Sequence, residues 1–149
     1  MKKMITLLAV LLLGAPLFAQ EGLFVEDLFE GKVISPKIMK KTVINGSRLE
    51  PYKLDTYKSL SFEVAEAAFH KVEILIIKDS NAAEDKQMEY VGDHLTYAVI
   101  SLPKTYTGLN RFLCFQAREE RGVWTVTVVY LRGTASVEDL ESMFNKRKK

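Results

Sequence analysis

The stretch NRFLCFQAREERGVWTVTVVYL, Asn110–Leu131, decides the fold. Two apolar runs, Arg111–Ala117 and Val123–Leu131, flank a charged tip at Arg118–Gly122. β-branched and aromatic residues fill both arms and a glycine sits at the tip, which is the composition of an antiparallel hairpin. In the second arm Trp124, Val126, Val128 and Tyr130 alternate onto one face. Val123, Thr125, Thr127, Val129 and Leu131 fall on the other. Neither face is strongly polar, so this arm reads as a central strand covered on both sides, with Trp124 in the core.

Upstream of the hairpin the period changes several times. Phe24, Val25, Leu28 and Phe29 recur at helical spacing within Gly22–Gly31, and Ser35-Pro36 stops any continuation. Ile38–Ile44 reads as a strand. Asn45-Gly46 is a strong short hairpin signal. Its partner is either a brief strand through Ser47–Leu49 or, after a loop at Pro51–Asp55, a longer one at Tyr57–Val64. Ala65, Ala68, Phe69, Val72, Leu75 and Ile76 then follow helical spacing, opposite Glu66, Lys71, Glu73 and Lys78. The expected helix covers Ala65–Lys78 and ends near Asp79-Ser80-Asn81. Two strands follow, Gln87–Val91 and His94–Leu102, joined at Gly92-Asp93, with Leu95, Tyr97 and Val99 sharing one face.

Downstream, Gly133 ends the hairpin. Ser136 is suited to cap a last helix whose first turn holds Glu138 and Asp139. Antiparallel strand runs with helices segregated between them imply α+β. The expected architecture is an antiparallel sheet of five or six strands, with the long helix and the C-terminal helix packed on it.

The chain has 149 residues. It opens with two lysines, the apolar run Met4–Leu13 and the small-residue end Gly14–Ala19, the pattern of a secretory signal peptide. The expected organisation is a cleaved signal peptide at residues 1–19, one α+β domain at 20–145 and a basic tail at 146–149. Without Lys2 and Lys3 the formal charge of +2 falls to zero. Lys146–Lys149 supply four further positives, so Gln20–Asn145 stands at −4. A mildly acidic body argues against a nucleic-acid binder, which carries a basic face. The single cysteine, Cys114, forms no internal disulfide. After signal cleavage no apolar run reaches the ~18–20 residues that a spanning helix needs.

Candidate chemistry is sparse. The chain has two histidines, His70 on the long helix and His94 after the Gly92-Asp93 turn. His94 or Cys114 is the starting point for a small periplasmic hydrolase, the alternative function. Cys114 stands inside a strand between Leu113 and Phe115, where a buried, inert thiol is the usual outcome. The sequence lacks zinc-binding spacings, phosphate-cradling glycine loops and nucleophile-elbow motifs. The pairs Glu26/Asp27, Glu84/Asp85, Glu119/Glu120 and Glu138/Asp139 read as solvated surface or helix starts. Tyr52, Tyr57, Tyr97, Tyr106 and Tyr130 read as half-buried sheet residues rather than a groove lining. No catalytic, cofactor-binding or metal-ligating residue is assigned, and no cofactor is expected. The expected role is an exported, non-enzymatic domain that binds a protein, peptide or cell-envelope component.

The segments VEDLF (Val25–Phe29), NRFLCF (Asn110–Phe115), VTVVYLRG (Val126–Gly133) and SVEDL (Ser136–Leu140) resemble a family of small exported proteins of unknown function. Its members come from Gram-negative, Bacteroides-like bacteria. The resemblance implies a signal peptide and a periplasmic or secreted location, and it supplies no catalytic residue. Intact-mass measurement of the exported protein is expected to show Gln20 as the first residue. A mature species that keeps Met1–Ala19 refutes the cleavage.

Overall fold

The computed structural model describes residues 22–148 in backbone and residues 22–142 in side-chain exposure. The signal peptide expected at residues 1–19 and the side chains of the basic tail lie outside the described residues.

Six strands form one antiparallel sheet: β1 (Lys40–Asn45), β2 (Leu54–Ala65), β3 (Asp85–Val91), β4 (His94–Leu102), β5 (Asn110–Glu120) and β6 (Val123–Gly133). Their spatial order is β1-β2-β6-β5-β4-β3. β6 therefore lies inside the sheet, as its two apolar faces require. The turn into it is tighter than its charge pattern implies. β5 runs on through Glu120, and only Arg121 (φ 55°) and Gly122 (φ 83°) turn the chain. Positive φ at both positions matches the right-handed twist of the flanking strands.

Among the described residues three α-helices accompany the sheet: α1 (Glu26–Phe29), α2 (Glu66–Ser80) and α3 (Val137–Lys148). Phe69, Val72 and Ile76 of α2 pack with Leu60, Phe62, Leu113, Phe115, Val126 and Val128 in the larger core. α3 serves the opposite face, where Leu140 joins Leu49, Leu54, Phe112, Leu131 and Ala135. The two helices thus cover opposite faces of the sheet. Ser136 caps α3 as expected. Its hydroxyl accepts from Asp139 N at 3.1 Å, and Asp139 accepts in return from Ser136 N at 2.9 Å.

Asn45-Gly46 does not make a two-residue hairpin. The chain instead forms a 3-10 turn through Gly46–Tyr52, buries Leu49, and returns as β2. At the far end of β6, a side chain on Gly133 would collide with the backbone of Lys53 and Leu54. That close approach lets Thr134 N and Ala135 N both donate to Lys53 O at 2.9 Å, which aims the chain at α3.

Two bulges reverse strand ends. Asp55 is unpaired between Leu54↔Gly133 and Thr56↔Arg132, so Leu54 turns to the smaller core. Thr96 is unpaired between Tyr90↔Leu95 and Glu89↔Tyr97. Simple alternation puts Leu95 with Tyr97 and Val99. The bulge moves Leu95 to the α2 face, fully buried with Ala98, Ile100 and Leu102.

Trp124 is 5% exposed and lies flat on Phe69, with ring centroids 3.8 Å apart and planes 2° apart. Trp124→Ala is expected to destabilise the fold by roughly 3–5 kcal/mol through lost burial and a cavity. That is a large share of the ~5–15 kcal/mol that holds a domain together. Chemical denaturation measures it, and native fluorescence should be blue-shifted and resistant to acrylamide. A water-like emission would refute the core placement.

Candidate functional site

The corner where α2 meets the β3–β4 hairpin gathers both histidines of the chain around one carboxylate. Glu73 was expected on the polar side of its helix. It is instead 3% exposed. It stands one residue beyond Val72, at the margin of the buried stripe, on the flank that faces β4. Oε2 accepts from Leu95 N at 2.6 Å. Oε1 lies 3.2 Å from His70 Nδ1 and 3.4 Å from His94 Nδ1. An ionised carboxylate only accepts hydrogen bonds. Both imidazoles thus bond to it when they carry a proton on Nδ1, which leaves each Nε2 directed away from it.

His94 is further held by aromatic edges. Its ring meets Trp124 at 5.0 Å and Phe69 at 5.5 Å between centroids, both near-perpendicular. Its Nε2 lies 3.7 Å from Glu66 Oε2, an exposed carboxylate one turn before His70. The first consequence is mechanical. The Thr96 bulge turns Leu95 inward, Glu73 accepts its N–H, and the hairpin is pinned to the helix.

The sheet keeps Cys114 away from this cluster. Cys114 packs beside the smaller core, whereas Phe69 and Trp124, which hold His94, belong to the larger one. A Cys–His pair therefore does not form. Burial pushes the Cys114 thiol up to about 12, which leaves its sulfur protonated and poorly nucleophilic at neutral pH. Among the described residues no group of three or more His, Cys, Asp or Glu side chains, the Glu73 cluster included, is arranged to hold a metal ion.

The paired carboxylates separate by role. Glu119 accepts from Gly122 N at 2.7 Å and fastens the hairpin tip. Asp139 caps α3, and its hydrogen bonds with Ser136 hold it below the usual carboxylate range. Glu84 and Asp85 line a shallow cleft of about 300 Å³ opposite Arg111, whose Nε donates to Pro103 O at 2.8 Å. Of the tyrosines, Tyr130 is fully buried, whereas Tyr52 and Tyr106 are exposed.

A second buried carboxylate escaped the sequence reading. Asp79 appeared as part of a polar helix end, yet it is 3% exposed. Its oxygens accept from Phe24 N at 2.7 Å and Val25 N at 2.9 Å. It thereby fastens the segment that leads into α1, from 55 and 54 residues away. Burial pushes Asp79 above the usual carboxylate range against the pull of these two N–H groups.

Beyond the clamp, the corner leaves apolar surface open. Ile74 is 38% exposed, Tyr90 50% and Val91 70%. Tyr90 is the cross-strand partner of Leu95, the residue that Glu73 holds. The exposed ring therefore lies on the α2 face of the hairpin. No residue in this patch was singled out from sequence, because Tyr90 and Val91 read as ordinary strand residues.

Glu73→Ala is expected to destabilise the fold by roughly 1–3 kcal/mol, since it strands the buried Leu95 N–H. Glu73→Gln keeps an acceptor for that group and should cost less. Urea denaturation and Leu95 amide exchange measure both. Unchanged Leu95 exchange in Glu73→Ala would show that the clamp does not hold the hairpin.

No curated protein and no solved structure matches the chain. Residues 12–144 match a family of unknown function (DUF6108), a span that takes in all six strands and the α2–hairpin corner. The chain belongs to that family of unknown function.

Proposed function

We propose that this protein is an exported, non-enzymatic domain that binds a protein, peptide or cell-envelope component through the corner between α2 and the β3–β4 hairpin. The observation that carries the reading is exposed apolar surface on a clamped hairpin, Tyr90 and Val91, with Ile74 exposed on α2. Exposed apolar side chains support binding of a partner, and a rigid mount lowers the entropy lost on binding. Export rests on the basic start and short apolar run of residues 1–19.

The polar groups of the corner support a positioning role. Glu73 bonds the Leu95 N–H, and His94 packs edge-on against the rings of Phe69 and Trp124. These contacts set the angle of the hairpin to the helix, and so the shape of the surface offered to a partner.

Crosslinking and pull-down from the native envelope test this. The wild-type protein is expected to capture a defined partner. The double variant Tyr90→Ser, Val91→Ser should capture it about tenfold less, the loss of roughly 1.4 kcal/mol of binding, with an unchanged melting temperature. Equal capture by the variant would overturn the reading, as would no capture by either protein.

A further inference from the structure

Among the described residues β3 is the terminal strand of the sheet, and one side of its backbone has no neighbouring strand. Such an edge is a template for another chain. Register with β4 sorts its side chains. Lys86, Met88 and Tyr90 oppose Ile100, Ala98 and Leu95, all buried on the α2 face. Asp85, Gln87 and Glu89 oppose Ser101, Val99 and Tyr97 on the other face. The edge thus presents a largely apolar row towards α2 and an acidic row away from it. Lys86 does not spoil the first row, because its Nζ donates back to Ser80 O at 3.4 Å.

The apolar row lies on the face of the sheet that α2 covers. Ile77 and Met88 both pack partly against the larger core, and Ile74 stands exposed one turn before Lys78. A strand laid along β3 would place alternate side chains on the α2 face, beside Met88 and Tyr90, and the intervening ones beside Asp85 and Glu89.

We propose that the β3 edge accepts an extended segment of a partner protein as a seventh strand, and that this segment alternates apolar with basic residues. The inference rests on the binding role of this corner. Main-chain bonds to β3 supply affinity, and the two rows select the side chains. The acidic row favours lysine or arginine directly opposite, since unlike charges across strands attract and like charges repel. The same charge disfavours a second copy of this chain. In antiparallel pairing of two β3 strands the two-fold axis keeps equivalent faces on one side, so the acidic rows would meet.

Calorimetric titration of the full protein tests this with peptides of seven residues, the length of β3. A peptide alternating lysine and valine is expected to bind about tenfold tighter than one alternating glutamate and valine. Two further lysine–valine peptides carry N-methyl groups on alternate residues in opposite phases. One phase, with methyls facing β3, should lose about tenfold or more in affinity, and the other should bind like the parent. The exposed pair Asp85→Lys, Glu89→Lys should reverse the charge preference without changing the melting temperature.

Equal binding of both methylated phases would overturn strand addition. So would dimerisation of the free protein at the titration concentration, which would show the edge occupied by a second copy. If either occurs while the Tyr90, Val91 variant still loses its envelope partner, the corner reading stands and only strand addition fails.

Discussion

Phe69 lying flat on Trp124 is the contact on which the architecture turns. It joins the long helix to the most interior strands, and the two flanks of that helix are then fastened by carboxylates. On one flank Glu73 takes the Leu95 N–H at 2.6 Å and pins the β3–β4 hairpin. On the other Asp79 takes the N–H groups of Phe24 and Val25 and pins the N-terminal segment. A buried carboxylate without partners costs several kcal/mol, so each persists only because backbone donors meet it. The helix therefore organises sequence from both directions, about 55 residues upstream and 22 downstream of its two acids.

The sheet's two faces are unequal. The α2 face is lined by fully buried Leu60, Leu113, Phe115, Val126 and Val128. The α3 face has a smaller core, and Thr125, Thr127 and Val129 remain only half-buried there. Two bulges make this division workable: one lets β2 serve both cores, and the other keeps the start of β4 with the larger core. Leu54 is delivered to the smaller core and Leu95 to the larger, although neighbours in sequence point the other way. A bulge re-aims a side chain where strict alternation cannot.

The edges of the sheet are protected differently. β1 is exposed along most of its length and opens with Lys40 and Lys41, charges that discourage a further strand. β3 is as exposed but carries Met88, Tyr90 and Val91, with its one lysine turned back to Ser80. The first edge is thus blunted by charge, whereas the second joins an apolar row to an acidic one. The Glu73 clamp and the Thr96 bulge both act at the mouth of this edge, where Thr96 Oγ1 also donates to Glu89 O at 3.3 Å.

Local pattern alone determined much of this protein. Alternation in Asn110–Leu131 was enough for an interior hairpin, since period-two burial of β-branched and aromatic residues has few other solutions. Helical spacing placed α2, and Ser136 with Asp139 marked the start of α3, because these signals act within a few residues. The tertiary structure alone decided the rest. The Asn45-Gly46 signal was overridden when burial of Leu49 favoured a longer return. Glu73 and Asp79 looked like solvated acids because their partners, Leu95, Phe24 and Val25, lie far off in sequence. The faces taken by Leu54 and Leu95 depended on bulges, which leave no mark in composition. Whether an edge strand stays open depends on strand order, and strand order is set by long-range pairing that a local pattern does not encode.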